Sequence, residues 1–85
     1  MNKNPYVKEL IDLFENIMKK CGKNYSKTAS MIERNGKPMA RQSLFKMVKG
    51  GSLRMILFLE ILDAFGITVE FTKDGELVYK RFPKI

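Results

Sequence analysis

Apolar residues recur at three- and four-residue steps through Val7, Leu10, Ile11, Phe14, Ile17, Met18 and Cys21, with Lys8, Glu9, Asp12, Glu15 and Lys19 between them. That period is the apolar stripe of an amphipathic helix. Pro5 suits a first helical turn, and Lys19-Lys20 with a candidate cap at Gly22 suit a last one, so the first helix is predicted over about 5–21. A second, shorter helix is predicted over about 26–35, with Ser26 as N-cap, Thr28, Ala29 and Ile32 inward and Gly36 as the stop. The small Ala29 allows the next helix to cross closely. Asn35-Gly36-Lys37-Pro38 reads as a linker, because Pro38 keeps Lys37 out of helical geometry.

A third helix, about 39–49, is two-faced. Ala40, Leu44, Met47 and Val48 share one side, Gln42, Phe45, Lys46 and Lys49 the other, and Arg41 lies near the N-terminal end, with Gly50-Gly51 ending the helix. The fourth, about 52–65 with Ser52 as cap, carries only Arg54, Glu60 and Asp63 as charges, so apolar residues cover nearly its whole circumference. The surplus, Met55, Phe58, Leu59 and Leu62, predicts contact with another subunit; cover by the C-terminal segment of the same chain is the alternative.

Beyond Gly66 the period falls to two, Ile67, Val69 and Phe71 alternating with Thr68, Glu70 and Thr72, and Asp74-Gly75 is a strong hairpin turn. A hairpin over about 67–82 centred on that turn pairs Lys73 with Glu76, Phe71 with Val78, Val69 with Lys80 and Ile67 with Phe82. Ile67, Val69, Phe71, Val78 and Phe82 then share one face, and Thr68, Glu70, Thr72, Tyr79 and Arg81 point outward. A lone hairpin is marginal in water, so it is expected to pack on the helices or to extend a sheet across a dimer. Val69, Phe71, Val78 and Tyr79 join the fourth helix as candidate interface residues.

Charge changes this picture more than composition does. The chain of 85 residues, with 45% hydrophobic and 29% charged residues, suits a single globular domain, 1–85. Its net charge is +7, and the segment from Lys19 to Arg54 holds ten bases against Glu33 alone, a local +9 against −2 for the rest. A basic middle between nearly balanced flanks implies a located surface for a polyanion. The single Cys21 excludes an internal disulfide framework and is read as a buried small hydrophobe, and with no histidine a metal site has almost no soft ligands. No phosphate-binding glycine loop or nucleophile–base set is present, so neither an enzyme nor a cofactor is expected. The start MNKNPYVKEL has no signal-peptide core and the longest apolar run, Met55 to Leu59, is far too short for a bilayer; a cytoplasmic, membrane-free protein is the expectation.

Three features, taken together, carry a family likeness: Ala29 in the second helix, the run Arg41-Gln42-Ser43-Leu44 followed by Gly50, and Leu62-Asp63-Ala64-Phe65-Gly66-Ile67 closing the fourth. With them the stretch from Ser26 to Phe71 resembles the helix-turn-helix domains of the phage repressor and Cro family. The resemblance implies a mainly α fold: a four- to five-helix lambda-repressor-like domain followed by a C-terminal β-hairpin similar to the strands by which Cro-type proteins dimerise. Two departures stand out: the turn from Asn35 to Met39 is longer than the compact family turn, and Ala40 sits where the family often has a capping Ser or Thr. A tri-helical unit ending in a basic helix, as in other bacterial regulators, is the alternative alignment, and it reads DNA with the same helix.

The resemblance implies a small dimeric transcriptional regulator, a repressor of phage or bacterial type, binding an inverted repeat in double-stranded DNA with its third helix in the major groove. Arg41, Gln42, Ser43, Phe45 and Lys46 are then the base-edge candidates, with burial against the second helix the other reading of Phe45. Ser26, Lys27, Lys37, Lys49, Ser52 and Arg54 are the phosphate candidates. The competing expectation is an antitoxin-like interaction module, in which the apolar fourth helix or the hairpin holds a toxin-like protein partner.

Overall fold

The computed structural model describes residues 4–84, folded as four helices with two small antiparallel hairpins: α1 (Pro5–Lys20), α2 (Tyr25–Ser30), β1 (Glu33–Arg34), β2 (Lys37–Pro38), α3 (Arg41–Gly50), α4 (Met55–Phe65), β3 (Val69–Lys73) and β4 (Glu76–Arg81). The stripe on α1 is real, but only Phe14 and Met18 of it are fully covered. Asn4 opens the helix, its Oδ1 accepting from the Tyr6 amide at 3.0 Å. At the other end the Lys23 amide reaches back to the Met18 carbonyl at 2.8 Å, so the last turn closes on itself. Cys21 lies just past the helix and is half-buried, not buried as expected.

Two expectations for α2 need correction. Its cap is Asn24, whose Oδ1 accepts from the Lys27 amide at 2.8 Å, and Ser26 instead lies exposed inside the first turn. The helix also stops at Ser30, five residues short of the predicted end. The cause is the Asn35-Gly36 pair, both with positive φ (54° and 76°), which folds the chain back so that Arg34 pairs with Lys37 and Glu33 with Pro38. Asn-Gly is the most favoured pair for such a mirror-image two-residue turn, since both positions must leave the right-handed region. The Met39 amide then donates to the Ile32 carbonyl at 2.7 Å and closes the base of the hairpin.

The helix α3 begins at Arg41 after an Ala40 that offers no side-chain cap, as expected, but Ala40 is exposed and not part of the inner face. Leu44 and Val48 make that face, both with 0% exposure. They meet Phe14, Met18, Ala29, Ile32, Leu57 and Ile61 in one core, and Thr28 is buried beside them. Ala29, also fully covered, is the small residue that lets α3 cross α2 closely.

Ser52 does not cap α4. Its amide donates to the Met47 carbonyl at 2.8 Å, which assigns it to the end of α3, and the extended Arg54 precedes α4 without a side-chain cap. In α4 Leu57, Ile61 and Leu62 are buried, whereas Met55 and Ile56 are 66% and 73% exposed.

The C-terminal hairpin turns at Asp74-Gly75 and pairs Lys73 with Glu76 as predicted, but its register then slips. Thr72 pairs with Leu77 and Phe71 with Tyr79, so Val78 is an extra residue, and Glu70 and Val69 face Lys80 and Arg81. A bulge of this kind moves every later side chain to the other face. Tyr79 and Arg81, expected outward, therefore share the face of Phe71 and Val69. Arg81 lies only 15% exposed and donates to Asp63 of α4 at 2.8 Å. Val78 and Phe82, expected inward, are 66% and 63% exposed.

Candidate nucleic-acid interface

The solvent side of α3 is two stripes with different fates. Arg41, Phe45 and Lys49, four residues apart, lie along one line beside α1 and α2. The Phe45 ring is half-buried, edge-on to Tyr25 with centroids 5.0 Å apart. Arg41 stacks its guanidinium 5.2 Å from the Phe45 centroid and Lys49 places its ammonium 5.5 Å from it. Of the two readings of Phe45, packing against the second helix is the one observed.

Glu15 of α1 closes this cluster. Its Oε2 lies 2.8 Å from Lys49 Nζ and accepts from the Tyr25 hydroxyl at 2.7 Å. Those two hydrogen bonds, that from Lys49 first, hold the Glu15 carboxyl below its ordinary range. Burial, and then the bond to Glu15, push the Tyr25 hydroxyl well above its own. Neither group titrates near neutral pH, so the clamp persists across physiological conditions. Lys49 therefore stands in the structure as a tether between α3 and α1, with its charge already matched. Sequence periodicity could not find this, because Glu15 and Tyr25 are ten residues apart on different helices and each alone reads as surface.

The second stripe is free. Gln42, Ser43 and Lys46 are exposed and form no side-chain hydrogen bond or ion pair among the described residues, and Arg41 stacks on Phe45 and acts electrostatically on Tyr25. Thus four predicted base-edge candidates are exposed along α3, Gln42, Ser43 and Lys46 on the free stripe and Arg41 beside them at the N-terminal end, and the fifth, Phe45, lies beneath Arg41. Of the predicted phosphate candidates, Ser26 and Lys27 are exposed on the first turn of α2, Lys37 on the small hairpin, and Ser52 and Arg54 before α4.

Leu13, Ile17, Met55, Phe58, Leu59, Ile67, Val69 and Phe71 line an apolar groove of about 320 Å³ between α1, α4 and the C-terminal hairpin. The predicted interface residues divide around it. Met55, Phe71, Val78 and Tyr79 are exposed, Phe58, Leu59 and Val69 are half-buried, and Leu62 is covered within the chain at 2%. Cover of the fourth helix by the hairpin is thus partial. No group of acidic, cysteine or histidine side chains that could hold a metal ion occurs, and no helix is long and apolar enough to cross a membrane, among the described residues. No protein-family model, curated protein or solved structure matches the chain.

Proposed function

We propose that this protein is a small sequence-specific regulator that binds double-stranded DNA with α3 in the major groove. The observation that carries the reading is the free polar edge of α3, Arg41, Gln42, Ser43 and Lys46, on a helix whose other edges are locked to α1 and α2. A helix that reads base edges must be rigid behind and unencumbered in front. Arginine pairs bidentately with guanine and glutamine with adenine, and their side chains are available for that. Lys27 and Arg54 flank the helix from α2 and α4 and serve as phosphate contacts within the +9 segment.

Titration of fluorescent duplex at several salt concentrations tests this, with affinity expected to fall linearly on a log–log plot. Arg41→Ala is expected to relax selection at one base position by about 1–3 kcal/mol, while Lys27→Ala weakens all sequences alike. Salt-independent binding would remove the phosphate contacts and with them the proposal.

The apolar groove supports the companion reading, that two copies meet across it and place their α3 helices on half-sites ~34 Å apart. Sedimentation equilibrium of the free chain is expected to give a dimer. A monomer would leave the groove to a different protein and favour the antitoxin-like module over a dimeric regulator.

A further inference from the structure

A helix-turn-helix joint needs only three or four residues, yet residues 31–40 lie between α2 and α3. The excess is organised. Every side chain of Glu33–Pro38 is exposed, so the hairpin contributes nothing to the core. It is nonetheless held firmly at three points: the Asn35-Gly36 turn, the Met39 to Ile32 bond at its base, and a two-pronged pair from Arg34 to Glu60 of α4 at 2.8 and 3.0 Å. An ordered, exposed loop that adds nothing to the core is free to touch something else.

Its chemistry selects the partner. Arg34 and Lys37 are directly opposite in register and so share one face, where like charges repel; the Glu60 carboxylate matches Arg34 and leaves Lys37 unmatched among the described residues. Arg34 also lines, with Arg54, Met39 and Ile56, a groove of about 380 Å³ that runs between the small hairpin, α3 and the start of α4. Apart from Pro38 the hairpin has no apolar side chain, which disfavours a protein partner. Free cations beside the leading end of α3 fit the backbone of a nucleic-acid duplex.

We propose that the Glu33–Pro38 hairpin is a second DNA-contacting element, a wing that sets Lys37 on a phosphate of the backbone flanking the groove occupied by α3, with Arg54 on the same flank. This rests on the reading of α3 as a DNA-binding helix and adds to it a contact outside the two-helix unit.

The test is fluorescence anisotropy with a labelled random-sequence duplex at salt concentrations between roughly 50 and 200 mM. Three variants are compared with the wild-type chain: Lys37→Ala, Arg41→Ala and, as a control on the distant hairpin, Lys73→Ala. Lys37→Ala is expected to weaken binding several-fold and to flatten the log–log salt slope by about 0.9, the value of one lost phosphate contact. Lys73→Ala should change neither. If Lys37→Ala matches a wild type that binds with salt-dependent affinity, in both readouts, the wing is overturned whatever Arg41→Ala does, and the reading of α3 stands if Arg41→Ala relaxes base selection. An equal loss from Lys73→Ala overturns it too, since the effect is then one of net charge. A wild-type chain without salt-dependent affinity for duplex removes both.

Discussion

Gly51→Ala is expected to destabilise the domain by roughly 2–5 kcal/mol, while Gly50→Ala next to it stabilises by up to ~1 kcal/mol. The two glycines end the same helix, but their surroundings differ. Gly51 has φ +74°, and a Cβ there would lie 2.6 Å from Val7 Cγ2 and 3.3 Å from Cγ1. The left-handed backbone alone costs an L-residue about 1–2 kcal/mol, and forcing a methyl against the first turns of α1 adds about 1–3. At Gly50 the backbone is helical and an added Cβ would meet no atom of the surrounding structure within 4 Å, so a methyl only removes disorder from the unfolded chain. Urea denaturation separates the two. The double variant Val7→Ala/Gly51→Ala should recover the overlap part of the loss and keep the backbone part. Equal effects from Gly50→Ala and Gly51→Ala would show that α3 does not end against α1.

That contact matters beyond stability because it fixes where α3 stands. The C-terminal end of α3 abuts Val7 and is tied to α1 through Lys49 and Glu15, and its middle packs on α2 through Phe45 and Tyr25. Its inner face is held by Leu44 and Val48. The exposed residues Arg41, Gln42 and Ser43 lie in the first turn, and Lys46 follows one turn further along. The helix is thus held along its inner side and at its C-terminal end, with its polar side exposed from the first turn to the middle.

Much of this arrangement is legible along the chain. The stripe of α1, the two faces of α3 and the greasy circumference of α4 follow from period alone, because an amphipathic helix of three or more turns repeats its pattern often enough to be unmistakable. The short elements are not. Six residues of α2 carry too few repeats to mark an end, and the pattern places the stop at Gly36, a residue that turns a hairpin instead. The signal was present in Asn35-Gly36, but its flanks Glu33-Arg34 and Lys37-Pro38 show none of the alternating apolar residues that usually announce strands. The slip at Val78 is similar. No residue type there marks a bulge, and only the pairing of Arg81 with Asp63, residues 18 apart in the chain, reveals which face the strand turns inward. The free edge of α3 was found because periodicity decides which side of a helix is polar. The Glu15–Lys49–Tyr25 tether was not, because it is made of tertiary contacts.

Phe14→Ala is expected to cost about 3–5 kcal/mol, the largest loss from any single truncation of this core. A chain of 85 residues holds only about 4–13 kcal/mol in total, so much of the folded population would be lost near 37 °C. The reason is position. Phe14 has 0% exposure and its ring stacks on Tyr25 with centroids 6.0 Å apart and tilts against Phe58 at 6.2 Å. Tyr25 in turn meets Phe45, so four aromatic rings join α4, α1, α2 and α3 in that order, and Phe14 is the ring that ties Phe58 of α4 to the other two. Phe14→Leu keeps apolar volume without the ring and should cost less, ~1–2 kcal/mol. It should still loosen Tyr25, and through it the seat of Phe45 and Arg41, so that duplex affinity falls more than the residual fold would suggest. Thermal melts followed by circular dichroism, with anisotropy on the Leu variant, check both effects. Tyr6→Ala, at a site 74% exposed, is the control, and a Phe14→Ala loss no greater than that of Tyr6→Ala would refute the central place of this ring.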